Sequence, residues 1–274
     1  MTIRTLFTVC FLLLTSGLIA QDNIYPAPPS EQDLLITNAT IHVGNGTVIP
    51  AGSIRISKGR IQEVSQQALE PKGAVQVIDA KGKQVYPGLI LASSQLGLVE
   101  VPPVRATVDA TEIGELNPNI RALVAYNIDS KVINTLRSNG ILLAEVYPGG
   151  NLLAGSSSVV QLDAWNWEDA VYAADHAIHL TLPSLLARPS GRGYYTAANS
   201  SPGDAVKRAY EQIEKLKLFF REAQAYIRQG SAPVQNLKFE AVRGLFQKKQ
   251  KLFVHCEIVK EMQQAIEMAQ EFGF

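Results

Sequence analysis

The chain has 274 residues, with 25 Lys+Arg against 25 Asp+Glu, a formal charge of zero at pH 7, and 46% hydrophobic residues. A chain of this length can bury a large core, and with no basic block it carries no electrostatic case for nucleic acid. Two cysteines, Cys10 and Cys256, are its whole thiol complement, so disulfides do not build the fold.

Residues 1–20 place Arg4 ahead of an apolar run from Leu6 to Leu14, followed by small residues. That order is a secretory signal, and the run is too short to span a bilayer comfortably. Cleavage after Ala20 is expected, with Leu18 an imperfect third residue back; an uncleaved anchor is the alternative. Export places the protein in a periplasmic or extracellular compartment with no stable membrane insertion. Cys10 leaves with the signal, and Cys256 then has no internal partner.

Residues 21–32, with Pro26, Pro28 and Pro29, read as a linker. From 33 to 84 the pattern alternates, as where Ile54 and Ile56 flank Arg55, with turns at Gly44-Asn45-Gly46 and Lys58-Gly59. This is a small β domain. From Val85 to Phe274 helical stretches alternate with short apolar runs, which argues α/β. A helix is expected from Asn119 to Asn139, ended by Gly140, then a buried strand from Ile141 to Val146. Ser201, Pro202 and Asp204 open the clearest helix. Its apolar face is Val206, Ala209, Ile213, Leu216, Phe220, Ala223 and Ile227. A shorter helix is expected near Leu237 to Lys249, a strand from Leu252 to Cys256, and a last helix from Ile258 to Phe272.

Alternation on the strand from Leu252 puts His255 and Glu257 on one face, and Val254 and Cys256 on the other. His176 and His179 would share a face on a helix, where they could bind a metal. The extended look of Leu180-Thr181-Leu182 instead points them apart. The run from Pro148-Gly149-Gly150-Asn151 to Gly155-Ser156-Ser157-Ser158 lacks the Gly-Lys-Ser/Thr ending of a phosphate loop, and reads as a turn that shapes a pocket. Trp165 and Trp167 read as packing or stacking residues. His42 reads as structural, and Cys256 as a buried, inert thiol.

Several runs together resemble one family. Asp33 to Ile41, Gly52 to Ile61, Val77 to Val85, and Tyr86-Pro87-Gly88-Leu89-Ile90-Leu91-Ala92-Ser93-Ser94-Gln95-Leu96-Gly97 come in the order found in the amidohydrolase superfamily. So do Leu153 to Val160 and Phe253-Val254-His255-Cys256-Glu257. The nearest group is the secreted, imidazolonepropionase-like amidohydrolases of bacteria. The resemblance implies a small, β-sandwich-like N-terminal domain followed by a (β/α)8 TIM-type barrel, incomplete here, with a long insertion near 98–200.

It also implies a metal-dependent hydrolase of non-peptide amide or cyclic amide C–N bonds, with a small-molecule substrate. A divalent metal, zinc, would belong to the full-length parent, and a homo-oligomer is consistent with the family. His255 matches a metal-ligand histidine. Ser93 and Gln95 stand where the family carries His-x-His, and Leu91 where it carries Asp. Ser93, Gln95 and Glu257 are therefore candidate pocket residues. By resemblance, a further histidine and a metal-binding aspartate would follow Phe274. The chain is thus expected to be a fragment, with a complete, smaller α/β protein as the alternative. Made alone, it is expected neither to hold stoichiometric metal nor to hydrolyse amides. A non-catalytic binding or scaffold relative is the competing function.

Overall fold

A computed structural model describes residues 26–28, 32–150, 152–186, 202–230 and 234–274. The signal segment 1–20, most of the linker, Asn151 of the glycine run and the helix cap Ser201 lie outside the described residues. The architecture is mixed α/β on two sheets.

The first sheet contains β1 (Asp33–His42), β2 (Val48–Ser57), β3 (Arg60–Ser65), β4 (Val75–Asp79) and β5 (Gln84–Val85). Its order is β3-β2-β1-β4, with β5 also paired to β1. The five strands form a single sheet rather than two facing layers. Strands β2 and β3 meet at Lys58 and Gly59, both at positive φ (50° and 69°). That two-residue turn matches the right-handed twist of the strands it joins. Ala39, Ile41, Ile54 and Ala80 form a small core on this sheet.

The second sheet contains β6 (Leu89–Ser94), β7 (Ile141–Val146), β8 (Leu153–Gln161), β9 (Val171–Thr181) and β10 (Lys251–His255), in the order β10-β9-β8-β7-β6. Strand β6 runs parallel to β7, and β9 parallel to β10, while β8 is antiparallel to both its neighbours. The sheet curls as a half-barrel. The span read from sequence as an insertion, 98–200, supplies three of its five strands.

Helix α1 (Lys131–Ser138) is shorter than the helix expected from Asn119. A 3-10 turn at Ala122–Ala125 precedes it, and the chain breaks helix between them. The Asn127 side chain accepts the Asp129 N–H at 3.0 Å, and the Asn127 N–H donates to Gly97 O at 3.0 Å. Asparagine closing its own turn competes with helix. Gly97 makes the contact possible, since a Cβ there would lie 2.6 Å from the Tyr126 ring.

Helix α2 (Pro202–Arg228) buries the expected face. Ala209, Ile213, Leu216, Phe220 and Ala223 pack with Ile178 and Leu180 of β9. The expected helix near Leu237 to Lys249 divides into α3 (Leu237–Ala241) and α4 (Arg243–Phe246). Helix α5 (Val259–Phe272) adds Met268 and Phe272 to the same core. A second core, with Leu123, Ile133, Ala144, Val146 and Val160, lies under β7 and β8. No helix among the described residues is long and apolar enough to cross a membrane.

Candidate functional site

The two cores take one face of the second sheet, and polar residues collect on the other. In β7, Ala144 and Val146 enter the core while Glu145, between them, points the opposite way. Glu145 is 5% exposed, and a carboxylate buried this deeply must be hydrogen-bonded. Ser157 Oγ, on β8, donates to its Oε1 at 2.9 Å. The Ser93 N–H, at the end of β6, reaches its Oε2 at 3.3 Å, with Ser93 Oγ at 3.5 Å. Ser93 sits at φ 51°, left-handed backbone that a non-glycine residue adopts only when its surroundings hold it there. Here the strained turn points its N–H at the carboxylate.

Two imidazoles complete the ring around Glu145. His176 Nε2 lies 3.4 Å and His179 Nε2 3.5 Å from Oε1. This corrects the expectation that the two histidines point apart on a strand. Between the pairs Ser157↔Ala177 and Val159↔Ala173 the register slips, and Asp175 takes φ 47°. Such a bulge re-aims the side chains beside it, so His176 turns toward the same carboxylate as His179.

His255 ends β10. Its neighbours Val254 and Cys256 pack into the core with α2 and α5, and His255 faces the polar side. Its Nε2 lies 2.9 Å from His179 Nδ1. The Tyr147 ring stacks on both imidazoles, with centroids 4.7 Å from His179 and 5.2 Å from His255. Phe253 packs edge-on to His179 at 5.2 Å. Burial pushes the His179 pKa down to about 4, the charges of His255 and His176 add to this, and Glu145 opposes it. Burial also lowers His255, again opposed by Glu145.

The other residues singled out from sequence are placed separately. Gln95 does not join Glu145; its amide lies over the Gly149 backbone, where a Cβ would stand 2.7 Å from Gln95 Nε2. Glu257 is exposed and lines, with His255, Thr181 and Ser184, a cavity of about 550 Å³, a size that suits a small molecule. One wall is fixed by Glu261, whose carboxylate accepts the Leu185 N–H at 3.0 Å and the Glu257 N–H at 2.9 Å. Burial alone would raise its pKa, but these bonds, with Ile258 N–H and Ser184, hold it below the ordinary carboxylate value. The run Gly155 to Ser158 is strand, within β8, rather than a turn. His42 stacks on Tyr86 and meets Gln84 at 2.6 Å, away from this cluster.

Glu145 and Tyr147 are the members that sequence reasoning passed over, and Ser157 was read only as part of a pocket-shaping turn. Glu145 had a signal: it is the one charge inside the apolar run Ile141 to Val146. Tyr147 had none, and the contact of Ser157 with Glu145 could not be read because only the strand pairing makes it.

Of the residues that the resemblance sets at ligand positions, His255 alone offers an imidazole to zinc. Ser93 and Gln95 are poor zinc donors beside imidazole. Among the described residues no three His, Cys, Asp or Glu side chains are grouped to hold an ion. What the cluster can do is set protonation: a buried carboxylate, two imidazoles in contact, and a cavity at the outer one.

No family model and no curated protein matches the chain. Among solved structures, an amidohydrolase from Thermotoga maritima MSB8 superposes with a TM-score of 0.72 at 20% identity, over 88% of this chain and 62% of that one. At that identity the likeness is one of fold. A prolidase complexed with N-methylphosphonate-L-proline gives 0.41 at 15% identity, over 86% of this chain and 59% of the other. A second amidohydrolase gives 0.37 at 15%, over 86% and 59%. The chain therefore spans about three-fifths of the length of these proteins.

Proposed function

We propose that the chain is part of an exported hydrolase of the amidohydrolase type, acting on the C–N bond of a non-peptide amide or cyclic amide. The observation that carries this reading is His255. It ends a parallel strand of an amidohydrolase-like sheet, faces the polar side, and borders a cavity of small-molecule size. In such a reaction His255 accepts a proton from water or from the substrate. Glu145 and His179 hold it in place, and Glu257 and Thr181 line the space a substrate would fill. No step is assigned to the metal that the resemblance implies.

A second reading has its own support. Ser93 stands at a ligand position of the family and is engaged in holding Glu145, which favours a relative that binds a small molecule without cleaving it. Assay of the protein purified from its native envelope fraction, against acyl amides and cyclic imides with zinc supplied, separates the two. Turnover lost on His255→Ala supports the hydrolase. Saturable binding with no product supports the binding protein.

A further inference from the structure

The pair Asn-Gly occurs twice in the chain, at Asn45-Gly46 in the turn between β1 and β2 and at Asn139-Gly140 at the end of α1. Glycine puts no side chain in the way of its own nitrogen, so that nitrogen can reach the amide carbon of the asparagine before it. Both asparagines are exposed, and both glycines have open space where a Cβ would stand. Exposure therefore does not separate the two sites, but hydrogen bonding does. In the turn, the Thr47 N–H donates to Asn45 Oδ1 at 3.0 Å. That bond folds the side-chain amide forward over Gly46. It also sets a backbone donor on the oxygen that gains negative charge when the amide carbon is attacked. The Gly46 N–H has no hydrogen-bond partner among the described residues. At the helix end, Asn139 Nδ2 instead donates to Thr135 O at 2.7 Å, which draws the amide back along α1, and the Gly140 N–H donates to Arg137 O at 2.9 Å.

We propose that Asn45 is a site of spontaneous covalent modification, in which the turn's own backbone converts the side-chain amide to an acid, while the end of α1 protects Asn139. The Gly46 nitrogen gives its proton to solvent and bonds to Asn45 Cγ. The Cγ–Nδ2 bond breaks, and the nitrogen leaves with a proton as ammonia. A five-membered imide ring remains. Water opens it at the side-chain carbonyl to give aspartate, or at the main-chain carbonyl to give isoaspartate, whose chain runs through Cγ. One water is consumed, one ammonia is released, and nothing is oxidised or reduced. Either product adds a negative charge to a turn that rests on Pro87, whose Cγ lies 3.3 Å from where a Gly44 Cβ would stand. Isoaspartate also lengthens the turn by one backbone carbon against the pairing His42↔Val48. The modification is independent of the cluster around Glu145 and of any turnover at His255.

The test incubates the full chain at pH 8, folded and, separately, unfolded in urea. Tryptic peptides are read by mass spectrometry with an enzymatic label for isoaspartate, and circular dichroism follows the fold. In the folded chain Asn45 should convert at least about tenfold faster than Asn139, because two hydrogen bonds must first break at Asn139. In urea the two sites should convert at similar rates. Equal rates in the folded chain, or earlier conversion at Asn139, would overturn the proposal. So would a folded Asn45 that stays unchanged while both sites react in urea. A tenfold gap that persists in urea would trace the difference to sequence neighbours instead of the fold, and the proposal would fall with it.

Discussion

The two sheets bury different things. The first sheet closes a small core of Ala39, Ile41, Ile54 and Ala80 and leaves Ile61, Val64, Val77 and Ile78 exposed. The second closes two larger apolar cores on one face and buries Glu145, Ser157 and His179 on the other. Exposed apolar side chains in the first sheet are ordinary surface. Buried polar ones cost free energy unless they are paired. The polar face of the second sheet is therefore where the molecule keeps its chemistry, and its cores hold that face in shape.

If the comparison holds, the largest effect lies in the core behind the site. Phe220→Ala should destabilise by about 4 kcal/mol, whereas Ile54→Val in the first sheet should cost about 1 kcal/mol. Urea denaturation monitored by circular dichroism checks this, and equal costs would break the contrast. Next is the carboxylate itself. Glu145→Ala strands Ser157 and two imidazoles in a buried space, for a loss of roughly 3 kcal/mol. A loss below about 0.5 kcal/mol, the range of a surface substitution, would show that Glu145 is not the hub it looks to be.

A smaller effect sharpens the same contrast through pH. His179 is held down to about 4 in the fold, from an ordinary 6.5. Below 6.5 the unfolded chain takes up protons that the folded chain refuses. This group's stability is thus fully present above 6.5 and is lost as pH falls toward 4. Between pH 7.5 and 5 the loss should be roughly 2 kcal/mol, and His179→Asn should flatten that part of the profile. A wild-type slope retained in the variant would place the effect elsewhere. The smallest expected effect is none: the purified chain should emerge from dialysis without an equivalent of zinc. One equivalent retained, and lost on His255→Ala, would restore a metal centre.

How much of this could be read from the sequence depends on how locally each feature is encoded. Strand β7 and the helices α2 and α5 follow from apolar periodicity, which needs only neighbours. His255 could be placed because alternation along one strand sets its face. His176 could not, because the bulge at Asp175 is set by pairing with β8 and overrides alternation. The Asn119 to Asn139 helix failed for a related reason: Gly97, distant in sequence, takes the Asn127 N–H that a helix would have used. Glu145 was legible in principle as a lone charge in an apolar run, but its partners come from three strands.

The antiparallel strand β8 has a consequence for the order of assembly. Short connections, 147–152 and 162–170, join β7, β8 and β9 into a local meander, and short loops close quickly. Ser157, His176 and His179 all meet Glu145 within that meander. Strands β6 and β10 instead pair in parallel across long stretches of chain. The carboxylate and its first partners are thus in position to gather early, with His255 docking last onto a surface already formed. Pulsed hydrogen exchange during refolding would show β8 amides protected before those of β10.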